Sequence, residues 1–171
     1  VYNYSRPPGI SEGDRIVQLN GTVVEHYGFT ELSYPAWKEA DTGISEPAPT
    51  VLTPALLADH IAMESLESAF VEVQNVTVCP VRDDFTVYGQ WAVVLSTSGS
   101  CPNVNDTYDD GVDSINVVSY FTVPDFDPTA YAGQTLARIS GNLRYHGVAH
   151  PSWMIYTRGP EDILASKYLW F

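Results

Sequence analysis

The sequence predicts a mostly β protein: a small barrel with one helix between strands and a short helix near the C-terminal end. Three observations carry this. Alternating apolar runs, rich in β-branched and aromatic residues, recur along the chain. Two long runs each carry a glycine near their centre. Only one stretch combines helical spacing with a helix start signal.

The glycine-centred runs share a pattern. They are "GDRIVQLNGTVVEHYG", Gly13 to Gly28, and "GQTLARISGNLRYHG", Gly133 to Gly147. In each, a second glycine follows the first by eight residues, and an aromatic residue plus glycine closes the run. Apolar residues punctuate both: Ile16, Leu19 and Val23 in one, Leu136, Ile139 and Leu143 in the other. A central glycine lets a long strand bend sharply, as small barrels require. Further strands are expected over residues 69–79, 84–95, 114–123 and 152–158. The helix is expected over 53–68, where Thr53 caps, Pro54 takes the first helical position, and Leu56, Leu57, His60 and Ile61 follow at helical spacing. A second short helix begins near Pro160, with Glu161 and Asp162 in its first turn. Residues 39–50 read as a loop. No linker divides the chain, so one domain is expected over 1–171, with 1–12 as a strand-like extension.

Five or six strands with a helix between them form an OB-fold, a Greek-key barrel, by pattern. "GDRIVQLNGTVVEHYGFTEL", "LESAFVEVQNVTV" and "YGQWAVVL", in that order, resemble the OB-fold domain of bacterial extracellular nucleases and other secreted multidomain proteins. "TLARISGNLRYHGVAHPSWMIYTRGPEDI" is similar to that domain's closing strands. The resemblance implies an accessory domain, with nuclease chemistry carried elsewhere. The segment from Ser96 to Ser114 departs from a compact loop.

Charge narrows the partners. The 171 residues hold 21 acidic and 8 basic side chains, a formal net charge of −13. Such a surface repels a polyanion and offers few cations to displace its counterions, so nucleic acid is not an expected partner. Single-strand binding also wants a basic groove beneath stacked aromatics. Tyr88, Trp91, Tyr120, Phe121, Tyr145, Trp153 and Tyr156 supply aromatics without the groove, and read more simply as core or cross-strand pairs.

Cys79 and Cys101 are the only cysteines. One disulfide is the simplest reading, with two buried free thiols as the alternative. A disulfide implies an oxidising compartment, hence a secreted, extracellular protein. A chain that opens on Val1 is expected to be processed or excised, and Asn-X-Ser/Thr sequons start at Asn3, Asn20, Asn75 and Asn105. No stretch is apolar and long enough to span a membrane as a helix.

The densest polar segment is "NVNDTYDDGVDS". Asn103, Asn105, Asp106, Asp109, Asp110 and Asp113 offer hard oxygen ligands, and Gly111 permits a sharp turn. These residues are the candidate calcium site. The alternative is a solvated acidic loop. Asp83, Asp84, Asp125 or Asp127 could complete the shell, and Glu12, Asp14, Glu39 and Asp41 form a weaker second candidate. No G-x-S-x-G or H-E-x-x-H occurs. His26, His60, His146 and His150 read as surface or satisfied histidines, so an enzyme is not expected. Val1, Tyr2, Tyr4, Leu169, Trp170 and Phe171 are candidate assembly contacts, because apolar ends seek burial or a neighbouring subunit. The resulting expectation is a secreted calcium-binding structural module, a homo-oligomer or polymer of an extracellular fibre or biofilm matrix. The alternative is an accessory nucleic-acid- or glycan-binding module of a secreted hydrolase.

Overall fold

The computed structural model describes residues 9–11, 13–102, 112–147 and 152–165, in two compact units that cover residues 1–48 and 49–171.

The first unit is a two-stranded antiparallel ribbon. Strand β1 (Arg15–His26) turns at Tyr27 and Gly28 into β2 (Phe29–Asp41). Both turn residues have left-handed φ, 55° and 80°. A two-residue type I′ hairpin requires that at both positions, and its twist matches that of the flanking strands. Residues 13–28, expected as a barrel strand, therefore find a partner two residues away; among the described residues β1 pairs with β2 alone. Such a local closure costs little loop entropy. Strand β2 was hidden in the sequence by Pro35, which sits inside it.

The second unit contains a closed five-stranded barrel. Its strands are β4 (Phe70–Val78), β5 (Gln90–Val94), β6 (Ser114–Val118), β7 (Thr135–His146) and β8 (Ser152–Tyr156). Around the barrel the order is β4-β5-β6-β8-β7, and β7 returns to β4. All neighbours are antiparallel except β6 and β8. This is the OB-like Greek-key arrangement that the sequence predicts. Short strands β3 (Thr50–Val51) and β9 (Ile163–Ala165) add to β4 and β7.

Strand β7 makes closure possible. Its first half pairs with β4 and β9, and its second half with β8. Gly141 stands at the handover. A Cβ there would lie 2.3 Å from the Tyr156 carbonyl oxygen. Only glycine lets the two backbones approach so closely. Inward-facing side chains then fill the barrel: Val71, Val73, Val93, Val117, Leu136, Ile139, Leu143 and Ile155 are completely buried. Each contributes about 1.5–3 kcal/mol relative to an exposed side chain.

The expected helix at 53–68 is two helices, α1 (Pro54–Leu57) and α2 (His60–Ser65). Thr53 Oγ1 accepts from the Leu56 N–H at 3.2 Å, as its capping role requires. Asp59 interrupts. Its carboxylate accepts from the Ile61 and Ala62 N–H groups, both at 3.1 Å, and starts a new helix. Aspartate favours such caps over helix interiors. Met63 is fully buried, and Leu56, Leu57 and Leu66 pack against the barrel core.

Two expected strands are shorter than predicted. Within 84–95, Asp84–Tyr88 forms helix α3, ended by Gly89 at φ 68°, before β5 begins. Within 114–123, β6 stops at Val118 because the Ser119 carbonyl turns the chain, accepting from the Thr122 and Val123 N–H groups. The segment between β6 and β7 holds a 3-10 turn at Pro128–Tyr131, started by Asp127. Aromatic packing fastens it to the barrel: Trp91 lies 5.4 Å from Phe126, which stacks on Tyr131 at 5.2 Å. The helix expected near Pro160 is a single 3-10 turn, Pro160–Asp162. No described helix is long and apolar enough to cross a membrane.

Candidate functional site

A recess of about 360 Å³ opens where α1 and α2 meet the starts of β6 and β8. Pro54, Leu57, Ala58 and His60 form one wall. Val112 and Asp113 with the first three residues of β6, Ser114 to Asn116, form the second, and Tyr145, Ser152 and Trp153 form the third. Register explains the third wall. Tyr145 of β7 sits opposite Trp153 of β8, and their rings lie 4.9 Å apart at 46°. The lining holds a carboxylate, hydroxyls, an amide, an imidazole and two large rings. Neither lysine nor arginine occurs among its described residues.

Two of the lining residues each carry an anomalous atom. Asn116 Oδ1 and Trp153 Nε1 are closed to solvent, yet neither has a hydrogen-bond partner. Asn116 as a whole is only 5% exposed. A buried polar atom without a partner costs about 1–3 kcal/mol, and almost all such atoms in folded proteins are satisfied. Asn116 was not singled out as a site residue by its sequence. The signal was present: one amide in the otherwise apolar run "INVV" of a central strand.

The described residues that flank the acidic segment form a fixed neck. Cys79 and Cys101 form the expected disulfide, with Cα atoms 5.5 Å apart. Buried Cys79 packs with Ala92 and Val94, and Cys101 lies against them. One residue before Cys101, Ser100 exchanges backbone hydrogen bonds with Val112, at 2.8 and 3.1 Å. Asp113 follows at φ 53°, and its Oδ2 accepts from Ser96 Oγ at 2.6 Å. Asp113 also lines the recess. Asn103, Asn105, Asp106, Asp109 and Asp110 lie outside the described residues, as do Val1, Tyr2, Tyr4, Leu169, Trp170 and Phe171.

The other candidates are placed apart or already engaged. Among the described residues no three His, Cys, Asp or Glu side chains gather as metal ligands. Asp127 Oδ1 accepts from the Thr129 hydroxyl at 2.6 Å and its N–H at 2.9 Å; these bonds hold its carboxyl below the usual aspartate range. Asp14 caps its own turn through the Ser11 N–H, and Asp41 pairs with Arg15 at 3.5 Å, both exposed. His26 belongs to the ribbon beside Tyr27, His60 lines the recess, and His146 ends β7. Of the aromatics, Trp91 is core and donates to Ser119 Oγ at 3.0 Å. Tyr88, Tyr120 and Phe121 are instead exposed, with Tyr120 edge-on to both Phe85 and Phe121. The sequon residues Asn20 and Asn75 are exposed. No protein-family model, curated protein or solved structure matches this chain.

Proposed function

We propose that this chain is an extracellular binding module whose OB-like barrel receives a small polar ligand in the recess beside Tyr145 and Trp153. The observation that carries the reading is the unpartnered pair Asn116 Oδ1 and Trp153 Nε1 in the wall of one recess. Ligand sites combine apolar and aromatic walls with a few convergent polar groups, which the recess offers. The net charge of −13 and a lining without lysine or arginine argue against nucleic acid. The disulfide supports a secreted setting. An accessory role within a larger secreted protein fits the sequence resemblance to nuclease-associated OB-fold domains.

The test is a thermal-shift panel of neutral sugars, small amines, single-stranded oligonucleotides and calcium. A ligand that binds the native state raises the midpoint by mass action. The reading expects stabilisation by an uncharged or small cationic probe, lost in Asn116→Leu. Stabilisation by oligonucleotide alone, abolished by salt, would defeat it.

A second reading is a calcium-dependent structural subunit that assembles into a fibre. The neck favours it: a disulfide and the Ser100–Val112 bridge hold both ends of the Asp- and Asn-rich segment, which lowers the cost of ordering it round an ion.

A further inference from the structure

We infer that the recess is a subsite for one neutral pyranose unit, an inference that rests on the binding reading above. Four observations converge. At about 360 Å³ the recess is at the small end of ligand cavities, suited to one compact group rather than a chain. The two unpartnered atoms differ in kind: Asn116 Oδ1 accepts and Trp153 Nε1 donates. A sugar hydroxyl does both, so neighbouring hydroxyls on one ring satisfy the pair. Asp113, Ser114 and Ser152 extend the same mixture of acceptors and donors around the wall.

The Tyr145 and Trp153 rings, 4.9 Å apart, provide the apolar component. An aromatic face is electronegative and attracts positively polarised C–H bonds such as those on the flat side of a pyranose. Charge selects against the competitors. The Asp113 carboxylate repels anions, and no lysine or arginine in the described lining compensates. A cation gains less from Asp113 than an isolated carboxylate would offer, because Oδ2 already accepts from Ser96. Neither unpartnered atom touches solvent. Ligand therefore reaches them through a rotamer shift of Asn116 or Trp153, and the freed donor and acceptor favour the open rotamer only when a hydroxyl fills it.

The experiment uses the oxidised ¹⁵N-labelled chain, whose four tryptophans give four indole N–H signals. Trp153→Phe assigns the relevant one. The probes are the methyl β-glycosides of glucose, galactose and mannose, N-acetylglucosamine, tetramethylammonium and hexathymidylate. At least one sugar is expected to move the Trp153 signal saturably, equally at low salt and at about 0.5 M salt, where surface charge is screened. Asn116→Leu, which keeps the branched shape but replaces the amide with methyl groups, is expected to weaken that sugar about tenfold, the loss of roughly one hydrogen bond. Where that variant fails to fold, calorimetry on Trp153→Phe, which keeps a ring but loses the donor, is expected to show about the same loss. A Trp153 shift with tetramethylammonium but with no sugar overturns the sugar assignment and leaves the binding reading standing, whereas a shift with hexathymidylate alone overturns both. Silence of Trp153 with every probe overturns both.

Discussion

Asp162, buried to 1% exposure, is held by the guanidinium of Arg158: Nη2 donates to Oδ1 at 2.9 Å and Nε to Oδ2 at 3.1 Å. The Arg158 N–H donates to Oδ2 at 2.7 Å, and Ser140 Oγ donates to Oδ1 at 2.6 Å. The arginine also lies 3.9 Å over the Phe70 ring. This cluster ties the 3-10 turn at Pro160 to β7 and to the first residue of β4.

Burial is the largest single influence on Asp162 and pushes its pKa up. The hydrogen bonds from Arg158 and Ser140, with the Arg158 charge, outweigh it, and the pKa is lowered. A lowered folded pKa means the native state binds the proton more weakly than the unfolded state. The contribution is fully present above the ordinary aspartate value of about 3.9 and is lost as pH falls through the folded pKa. Asp162→Ala is expected to cost about 3 kcal/mol at neutral pH by urea unfolding, because it removes a hydrogen-bonded ion pair and takes the acceptor from the buried Ser140 hydroxyl. The difference between variant and wild type should shrink as pH falls below the ordinary aspartate value of about 3.9. A pH-independent difference would contradict the account of this cluster.

Gly141→Ala tests barrel closure. The added Cβ meets the Tyr156 carbonyl oxygen and the Ile155 side chain, so β7 and β8 must separate. A loss of about 2–3 kcal/mol is expected, the scale of overpacking in a core. Gly133→Ala is not a matched control, because Gly133 sits at φ 77°, and an alanine there is strained although nothing lies within 4 Å.

Reduction tests the neck. Cys79 and Cys101 are 22 residues apart, and their bond is expected to contribute about 3 kcal/mol in the chain-entropy description. Cys79→Ala/Cys101→Ala should lower the urea midpoint accordingly, and reductant should then have no further effect on the double variant. Equal stability of oxidised and reduced wild type would show that the neck is held without the bond.

Calcium tests the second reading. If the Asn103–Asp113 segment binds the ion, millimolar calcium raises the unfolding midpoint of the oxidised protein, magnesium does not, and Asp109→Ala or Asp110→Ala removes the rise. Light scattering in calcium reports assembly. An unchanged midpoint leaves the segment a solvated acidic loop.

The features legible in the sequence were local ones. Thr53 and Pro54 announced a helix start through capping chemistry contained in a few residues. The alternation of residues 69–79 announced β4, and Gly141 announced the bend in β7. Helix α3 was missed because Phe85, Thr86 and Val87 favour strands in isolation, although Gly89 was a stop signal. The ribbon was missed for a different reason. The pattern of residues 13–28 is that of β7, and sequence alone does not say that its closing Tyr27–Gly28 turn supplies a nearer partner. The recess was least legible of all. Its walls come from four separated segments, and the missing partners of Asn116 and Trp153 exist only once those segments meet.

The central claim is that the recess, through hydrogen bonding and ring contact with a neutral ligand rather than through surface charge, governs what this barrel binds. The most direct measurement is the salt dependence of affinity for the best neutral sugar and for hexathymidylate, each titrated from low salt to about 0.5 M. Binding through phosphate contacts weakens steeply as salt rises, whereas binding of a neutral ligand does not. The account predicts a flat dependence for the sugar and no measurable oligonucleotide affinity at any salt. Tight oligonucleotide binding with a steep negative slope, and no sugar binding, would contradict it.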